Sequence, residues 1–426
     1  MRRLVLTVAV VLLLPPSAQA ESIFAGPVSD ARLAVAADGT PTVAYVSGGV
    51  LSIARRTLGS WPAQTVALPG SDVEIDGVSI VNDGETLVLA RDRNGTWLAL
   101  VTETAQGLRV HLIHPDAPKD LIGPSGLALD HHGRAVLAYA LWVPSHATYL
   151  RLVREDARGR LVTSRITRGG FPSTPTPAGA APVVLASGAL RVVETYLPAA
   201  IEWRPIPNND WLGQFLHGTA LGVPTGRVGV AANGSAVFAA WTEDYPTLGP
   251  PGVMLAVHKH HVFNGLALQN AIFAALALTP HGAELAANRC VADNVCGALV
   301  AGTELDGIVA DYAADATGGR QVLLVDATGL AWYRSPAPLA VHVTLGAVEG
   351  QLAGRVDGAS GGSVAVYREN AGGSRTLVAT VPLAPDGTFT ATDPTLGPAA
   401  PAAYRAVWTD PATSIPYASL FPQPSG

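Results

Sequence analysis

The sequence predicts an all-β chain, a β-propeller of six or seven blades followed by a small β-sandwich. Three observations carry that prediction. A hairpin pattern, apolar run then Gly turn then apolar run, recurs at near-constant spacing; no 3.6-residue periodicity is sustained anywhere; and the 426 residues include 45 Gly and 33 Pro. The last two exclude helical solenoids.

The opening hairpin of each unit is its clearest part. It reads Arg-Leu-Ala-Val-Ala ahead of Asp38-Gly39, Val-Ser-Ile-Val ahead of Asp83-Gly84, Gly-Leu-Ala-Leu ahead of His132-Gly133, and Val-Val-Leu-Ala ahead of Ser187-Gly188. It continues as Arg-Val-Gly-Val-Ala ahead of Asn233-Gly234 and Ala-Leu-Ala-Leu ahead of His281-Gly282. The turns fall 45, 49, 55, 46 and 48 residues apart, a length that accommodates four short strands per blade. Asp-Gly and Asn-Gly between apolar runs predict two-residue hairpins, because Gly and Asn tolerate positive φ. Three further strand-like runs, Ile308 to Tyr312, Gln321 to Asp326 and Leu330 to Arg334, form a last unit lacking one strand. Ser22 to Val28 is expected to supply it and close the ring, giving seven units, with six as the alternative.

Over residues 22–336 this pattern resembles secreted bacterial β-propeller repeat proteins. After Pro336 and Pro338 the strands are separated by Asp-Gly and Gly-Gly turns, through Ser-Val-Ala-Val-Tyr-Arg, Pro-Asp-Gly-Thr-Phe-Thr-Ala and Ala-Tyr-Arg-Ala-Val-Trp. That stretch resembles the Ig-like sandwich modules appended to exported bacterial proteins, which implies a spacer or stalk. The expected organisation is a leader over 1–20, a propeller over 21–338 and a sandwich over 339–426.

The leader follows from Arg2 and Arg3, the apolar run Leu4 to Leu14, and the small-residue site Ala18-Gln19-Ala20, with cleavage expected after Ala20. This eleven-residue run, apolar but for Thr7, is too short to span a bilayer and no later apolar run reaches eighteen, so a secreted or cell-surface protein without a membrane span is expected. The formal charge is −6, or −8 without Arg2 and Arg3, with no block of like charges, which excludes nucleic acid as a partner. A monomer is expected. Cys290 and Cys296 in an oxidising compartment predict a disulfide stapling a small loop.

Function is expected on the face that carries the longer connections, since loops on a rigid scaffold hold binding residues. That face is read from the connections between second and third strands, Leu141 to Thr148, Leu197 to Ile201, Thr242 to Gly252 and Val291 to Val295, and from those between units, His114 to Ser125 and Gly169 to Pro182. In or beside them stand Trp142, His146, Tyr196, Glu202, Trp203, Trp241, Glu243, Asp244 and Tyr245. Aromatic faces beside carboxylates suit sugar rings, so these residues are the candidate ligand-binding set for an extracellular glycan, peptide or protein. The competing reading makes the tryptophans half-buried fillers between blades. An extracellular polysaccharide hydrolase or lyase using Glu243, Asp244 or Glu202, and a structural envelope or matrix component, are the alternatives. No catalytic residue is assigned.

No cofactor is expected, because phosphate-cradling loops and dinucleotide fingerprints are missing. No metal is assigned either: His258 and His260 alternate onto one side of a strand, but a third ligand is not identifiable. Gly358-Ala359-Ser360-Gly361-Gly362 fits Gly-x-Ser-x-Gly, yet a strand follows it where a nucleophile elbow needs a helix.

Overall fold

A computed structural model describes residues 19–419 apart from 82–83, 105, 145–146, 167–178, 197–198, 208–209, 219–222, 246–248, 260, 281, 293–294, 316–317, 327, 336–338, 340, 349–350, 360, 371–373 and 395–402. The described residues form β-strands and no α-helix. Strand β1 is Gln19–Ala25. The first unit holds β2–β5 (Asp30–Val35, Pro41–Ser47, Val50–Arg55, Ala63–Ala67) and the second β6–β9 (Val73–Ile80, Thr86–Asp92, Leu98–Thr104, Gly107–Ile113). The third holds β10–β13 (Leu121–Leu129, Ala135–Val143, Ala147–Glu155, Leu161–Arg165) and the fourth β14–β17 (Ala180–Val184, Leu190–Tyr196, Ala199–Ile206, Asp210–Gly218). The fifth holds β18–β21 (Val223–Asn233, Ala236–Tyr245, Gly249–His258, Val262–Gln269) and the sixth β22–β25 (Ala271–Thr279, Gly282–Ala292, Val295–Val300, Thr303–Leu305). A closing unit uses β26–β28 (Ile308–Ala314, Arg320–Asp326, Gly329–Ser335), and β29–β35 follow (His342–Val348, Gln351–Asp357, Ser363–Glu369, Arg375–Pro382, Thr388–Thr392, Ala403–Thr409, Pro416–Ala418).

Each unit is a four-stranded antiparallel meander, and the innermost strands β2, β6, β10, β14, β18, β22 and β26 neighbour one another in a closed cycle. This is a propeller-type arrangement. Because each sheet is covered on both faces by its neighbours, the second strands read as continuous apolar runs and not as alternating ones. Strands β3 and β7 are buried almost throughout, while the outer strands β5 and β13 are largely exposed. The core accordingly lies between sheets, for instance Val46 and Leu51 of the first unit against Val88 and Ala99 of the second.

The closing unit takes β1 as its outer strand, paired antiparallel to β28 with Glu21 opposite Trp332. The N-terminal segment therefore closes the ring, and pairing begins at Gln19, three residues before the Ser22 expected from sequence.

The hairpin turns are wider than two residues in most units. Ala36 N bonds Thr40 O at 2.9 Å and Gly39 N bonds Ala36 O at 2.9 Å, and the same two bonds recur at Val81/Glu85, Asp130/Arg134, Leu185/Ala189 and Asp315/Gly319. Only the glycine takes positive φ, as at Gly39 (84°) and Gly133 (77°). Such a three-residue loop needs one left-handed residue where the expected two-residue turn needs two, which is why His132 and Ser187 are tolerated before the glycine.

The C-terminal strands are continuous with the ring. Strand β35 pairs with β25, extending the sixth unit into an eight-stranded sheet ordered β22-β23-β24-β25-β35-β34-β31-β32, while β29, β30 and β33 make a second sheet. Val366, Phe389, Trp408 and Tyr417 share one hydrophobic cluster with Ala286, Val300 and Leu324 of the sixth and closing units. Arg375 Nη1 bonds Asp306 Oδ1 at 2.7 Å across the junction. Cys290 and Cys296 sit opposite each other on β23 and β24 and form the expected disulfide.

Candidate binding site in the axial cavity

The seven innermost strands surround a cavity along the ring axis. Its waist, about 210 Å³, is lined by one residue from each unit at the same place: Arg32, Gly77, Gly126, Ala181, Arg227, Ala275 and Asp311. Each stands seven positions before the turn glycine of its own unit. Four of these residues are Gly or Ala, where the inner strands approach closely: a Cβ on Gly126 would lie 2.6 Å from Ala181 Cα and one on Gly77 3.1 Å from Leu127 Cβ; the other three are charged. Toward the face opposite the hairpin turns the waist adjoins a space of about 290 Å³ lined by Asp30, Asn288 and Ile308. Toward the hairpin-turn face it adjoins an aliphatic space of about 500 Å³ bordered by Leu33, Leu278 and Ala314.

Backbone irregularity gathers at the waist. Ladder register shifts between Ile75 and Gly77, Ile122 and Ser125, Thr225 and Val228, Phe273 and Ala275, and Val309 and Asp311. Asp76 and Arg227 are among the unpaired residues that these bulges insert, and a bulge re-aims the side chain it carries. Gly226, at φ 69°, makes the second of these possible.

The carboxylates hold the ring together. Inner-strand N–H groups facing the next unit would otherwise lack acceptors. Asp30 Oδ2 accepts from Ile75 N at 2.7 Å, Asp76 Oδ2 from Ser125 N at 2.9 Å and Asp311 Oδ2 from Leu33 N at 2.8 Å. Asp76 is further held by Arg91 Nε at 3.1 Å. Burial pushes the Asp311 carboxyl above its usual range, against the opposing charges of Arg227 and Arg32.

The two arginines differ. Arg32 Nη1 lies 2.7 Å from Asp30 Oδ1 and donates to Ala31 O at 2.6 Å and Ala310 O at 3.2 Å. Arg227 makes no hydrogen bond or ion pair among the described residues, and its guanidinium carbon stands 5.8 Å from the centre of the Phe273 ring. Burial, then the charge of Arg32, pulls it down to about 10, so it remains a cation at neutral pH.

The residues expected to bind ligand lie elsewhere. The connections that carry them are shorter than their sequence reading, because β11, β19 and β20 run on through Trp142, Thr242, Glu243 and Gly252. Trp241 is fully buried between the fourth and fifth units. Glu243, also fully buried, accepts from Tyr245 Oη at 2.8 Å and Trp241 Nε1 at 3.2 Å and faces His217 Nε2 at 3.4 Å. Glu202 is buried and joined to Arg191 at 3.1 Å and His258 Nδ1 at 2.7 Å. Trp142 and Trp203 are half-buried and Asp244 is exposed. Trp203 Nε1 donates to buried Glu194 at 3.0 Å, whereas Trp142 Nε1 is buried without a partner. His146 and the side chain of Tyr196 lie outside the described residues, as does His260. The structure thus brings Trp241, Glu243 and Tyr245 together, while Glu202 has partners of its own in Arg191 and His258.

The axial residues were missed, although a signal was present. Arg32 and Arg227 open the two repeats that begin Arg-Leu-Ala-Val-Ala and Arg-Val-Gly-Val-Ala. A charged residue at a position that other units fill with Gly or Ala marks the ring layer.

No protein-family model and no curated protein matches the chain. Solved structures do. A protein of unknown function from Dyadobacter fermentans has 9% identity and a TM-score of 0.43, over 75% of this chain and 98% of its own. The α-L-arabinanase of Penicillium chrysogenum, solved with arabinobiose, has 12% identity and a TM-score of 0.38 over 75% and 98%. XC5397 of Xanthomonas campestris, a gluconolactonase, has 12% identity and a TM-score of 0.37 over 73% and 97%. The arabinanase and the gluconolactonase are propeller-type proteins. The likeness is one of fold alone, and the architecture of this chain rests on its own strand order.

Proposed function

We propose that the chain is an exported, seven-bladed propeller that binds a small polar molecule in its axial cavity, without chemical turnover. The observation that carries this reading is the cavity at the waist, where Arg32, Arg227 and Asp311 stand at one level of the ring and supply polar contacts. A sugar-sized molecule matches the space. The Cys290–Cys296 bond is consistent with export, and removal of a leader 1–20 would take Gln19 and Ala20 from β1 and keep the pairing from Glu21 onward.

Binding is favoured over a hydrolase because each axial carboxylate already anchors a neighbouring strand: Asp30, Asp76 and Asp311 all accept backbone N–H bonds. A general acid or base needs freedom to exchange its proton with substrate. The rim tryptophans are a poorer glycan platform, since Trp241 is fully buried.

The test is calorimetric titration of monosaccharides, sugar acids and amino acids against the purified chain and an Ile308→Trp variant. Ile308 borders the cavity mouth and is 38% exposed, so a larger ring there obstructs entry without disturbing the core. Saturable binding that weakens at least tenfold in a variant of unchanged melting temperature is expected. Equal binding by both proteins contradicts an axial site.

A further inference from the structure

We propose that the waist is a carboxylate-binding site, in which Arg227 makes the direct contact and Arg32 a second one, and that the ligand is a small monoanionic hydroxy acid such as a sugar acid. This rests on the axial-cavity reading above and names its ligand class.

Arg227 is placed by a two-residue bulge between Thr225 and Val228, and the residues at its height in the second, third, fourth and sixth units are Gly or Ala. Its side chain borders both the waist and the wider space on the side opposite the hairpin turns. A guanidinium has five donors, and none of those on Arg227 meets an acceptor among the described residues. Arg227 is part-buried, and its contact with Phe273 at 5.8 Å is a weak one that leaves its donors open to a ligand. Arg32 adds a second cation to the same wall, and its hydrogen bonds within the protein all use Nη1. A carboxylate gives Arg227 the planar, two-oxygen acceptor its fork fits and reduces the repulsion between the two arginines.

The surrounding carboxylates narrow the class. Asp30, Asp76 and Asp311 all border this space, so a dianionic phosphate meets three like charges where a carboxylate carries only one of its own. Asp76 Oδ2 is taken up by Ser125 N, Ser125 Oγ and Arg91 Nε, but Asp30 Oδ2 and Asp311 Oδ2 each accept one backbone N–H and retain a lone pair to which a ligand hydroxyl can donate.

The experiment compares galacturonate, galactose and inorganic phosphate by calorimetry on the purified chain, on Arg227→Gln, on Arg227→Lys and on Ile308→Trp. Galacturonate binding at least tenfold tighter than galactose, with the preference abolished in Arg227→Gln and partly restored in Arg227→Lys, is the expected result. Galactose bound as tightly as galacturonate, with both blocked by Ile308→Trp, overturns the carboxylate assignment and leaves the cavity reading standing. Phosphate bound more tightly than galacturonate also overturns it. Binding of none of the three overturns the carboxylate site, and binding indifferent to both Ile308→Trp and Arg227→Gln overturns both readings. Melting curves of the variants separate loss of binding from loss of fold.

Discussion

Glu21 Oε1 lies 2.6 Å from Arg56 Nη2, joining the strand that completes the closing unit to the first unit of the ring. The same carboxylate accepts from Trp61 Nε1 at 2.9 Å, and Trp61 meets Trp332 edge to face at 5.7 Å. One side chain therefore ties strand addition to the seam between first and last units.

Removing it leaves a guanidinium and an indole N–H without their acceptor. Glu21→Ala is expected to lower stability by about 1–3 kcal/mol at pH 7. Hydrogen bonding to Arg56 holds the Glu21 carboxyl below its ordinary 4.5. Its contribution is therefore complete above that value and is lost as pH falls through the depressed one. Urea unfolding at pH 7 and pH 3 checks this: the gap between wild type and variant should shrink at pH 3, and a gap of equal size at both contradicts the account.

Glu194 behaves in the opposite sense. It is buried with Trp203 Nε1 as its side-chain donor, and burial raises its carboxyl from 4.5 to about 7. The folded chain then binds more protons than the unfolded chain between those values, so stability falls as pH rises through that window. Glu194→Gln keeps an acceptor for Trp203 and removes the titration. The variant should gain on wild type by about 3 kcal/mol between pH 4 and pH 8, and parallel stability curves across that range contradict the assignment.

The three tryptophans first read as a ligand platform should separate by burial. Trp241→Ala is expected to cost about 3–5 kcal/mol, because the ring is fully buried among Val193, Ala200 and Met254. Trp142→Phe removes a buried N–H that has no partner and is expected to be near neutral or slightly stabilising. Thermal melts of both decide the matter, and a Trp241→Ala protein as stable as wild type contradicts its placement in the core.

These contrasts show what the sequence carries. The repeated four-stranded unit was readable because a turn glycine must recur where the chain reverses, at Gly39 and again at Gly188, and the pairing of the N-terminal strand because a three-stranded last unit calls for a partner. Strand ends were less readable. Trp142 and Glu243 look like loop residues beside Pro144 and Pro246, yet cross-strand pairing carries β11 and β19 past them. The axial site was hidden because its parts lie about 200 residues apart, Arg32 in the first unit and Arg227 in the fifth, and only the closed ring brings them onto one cavity wall. The junction with the C-terminal strands was hidden for a similar reason: the three-residue strand β25 gains its neighbour β35 from residues 416–418.

That junction has a stability consequence. Truncation after Ser335 uncovers the edge of β25 and the cluster around Val300, Leu305 and Leu324. An exposed apolar edge invites association. The truncated ring is expected to melt lower and to aggregate, measured by light scattering during a thermal ramp. A monodisperse truncated chain that melts with the full one would instead mark the C-terminal strands as an independent spacer.

The most direct test of the central claim is a crystal structure of the purified chain soaked in galacturonate. The account predicts ligand density at the waist of the axial cavity, with both carboxylate oxygens on Arg227 and hydroxyls directed toward Asp311. Density at the rim beside Trp142 or Trp203, over an axial cavity holding only water, would contradict it.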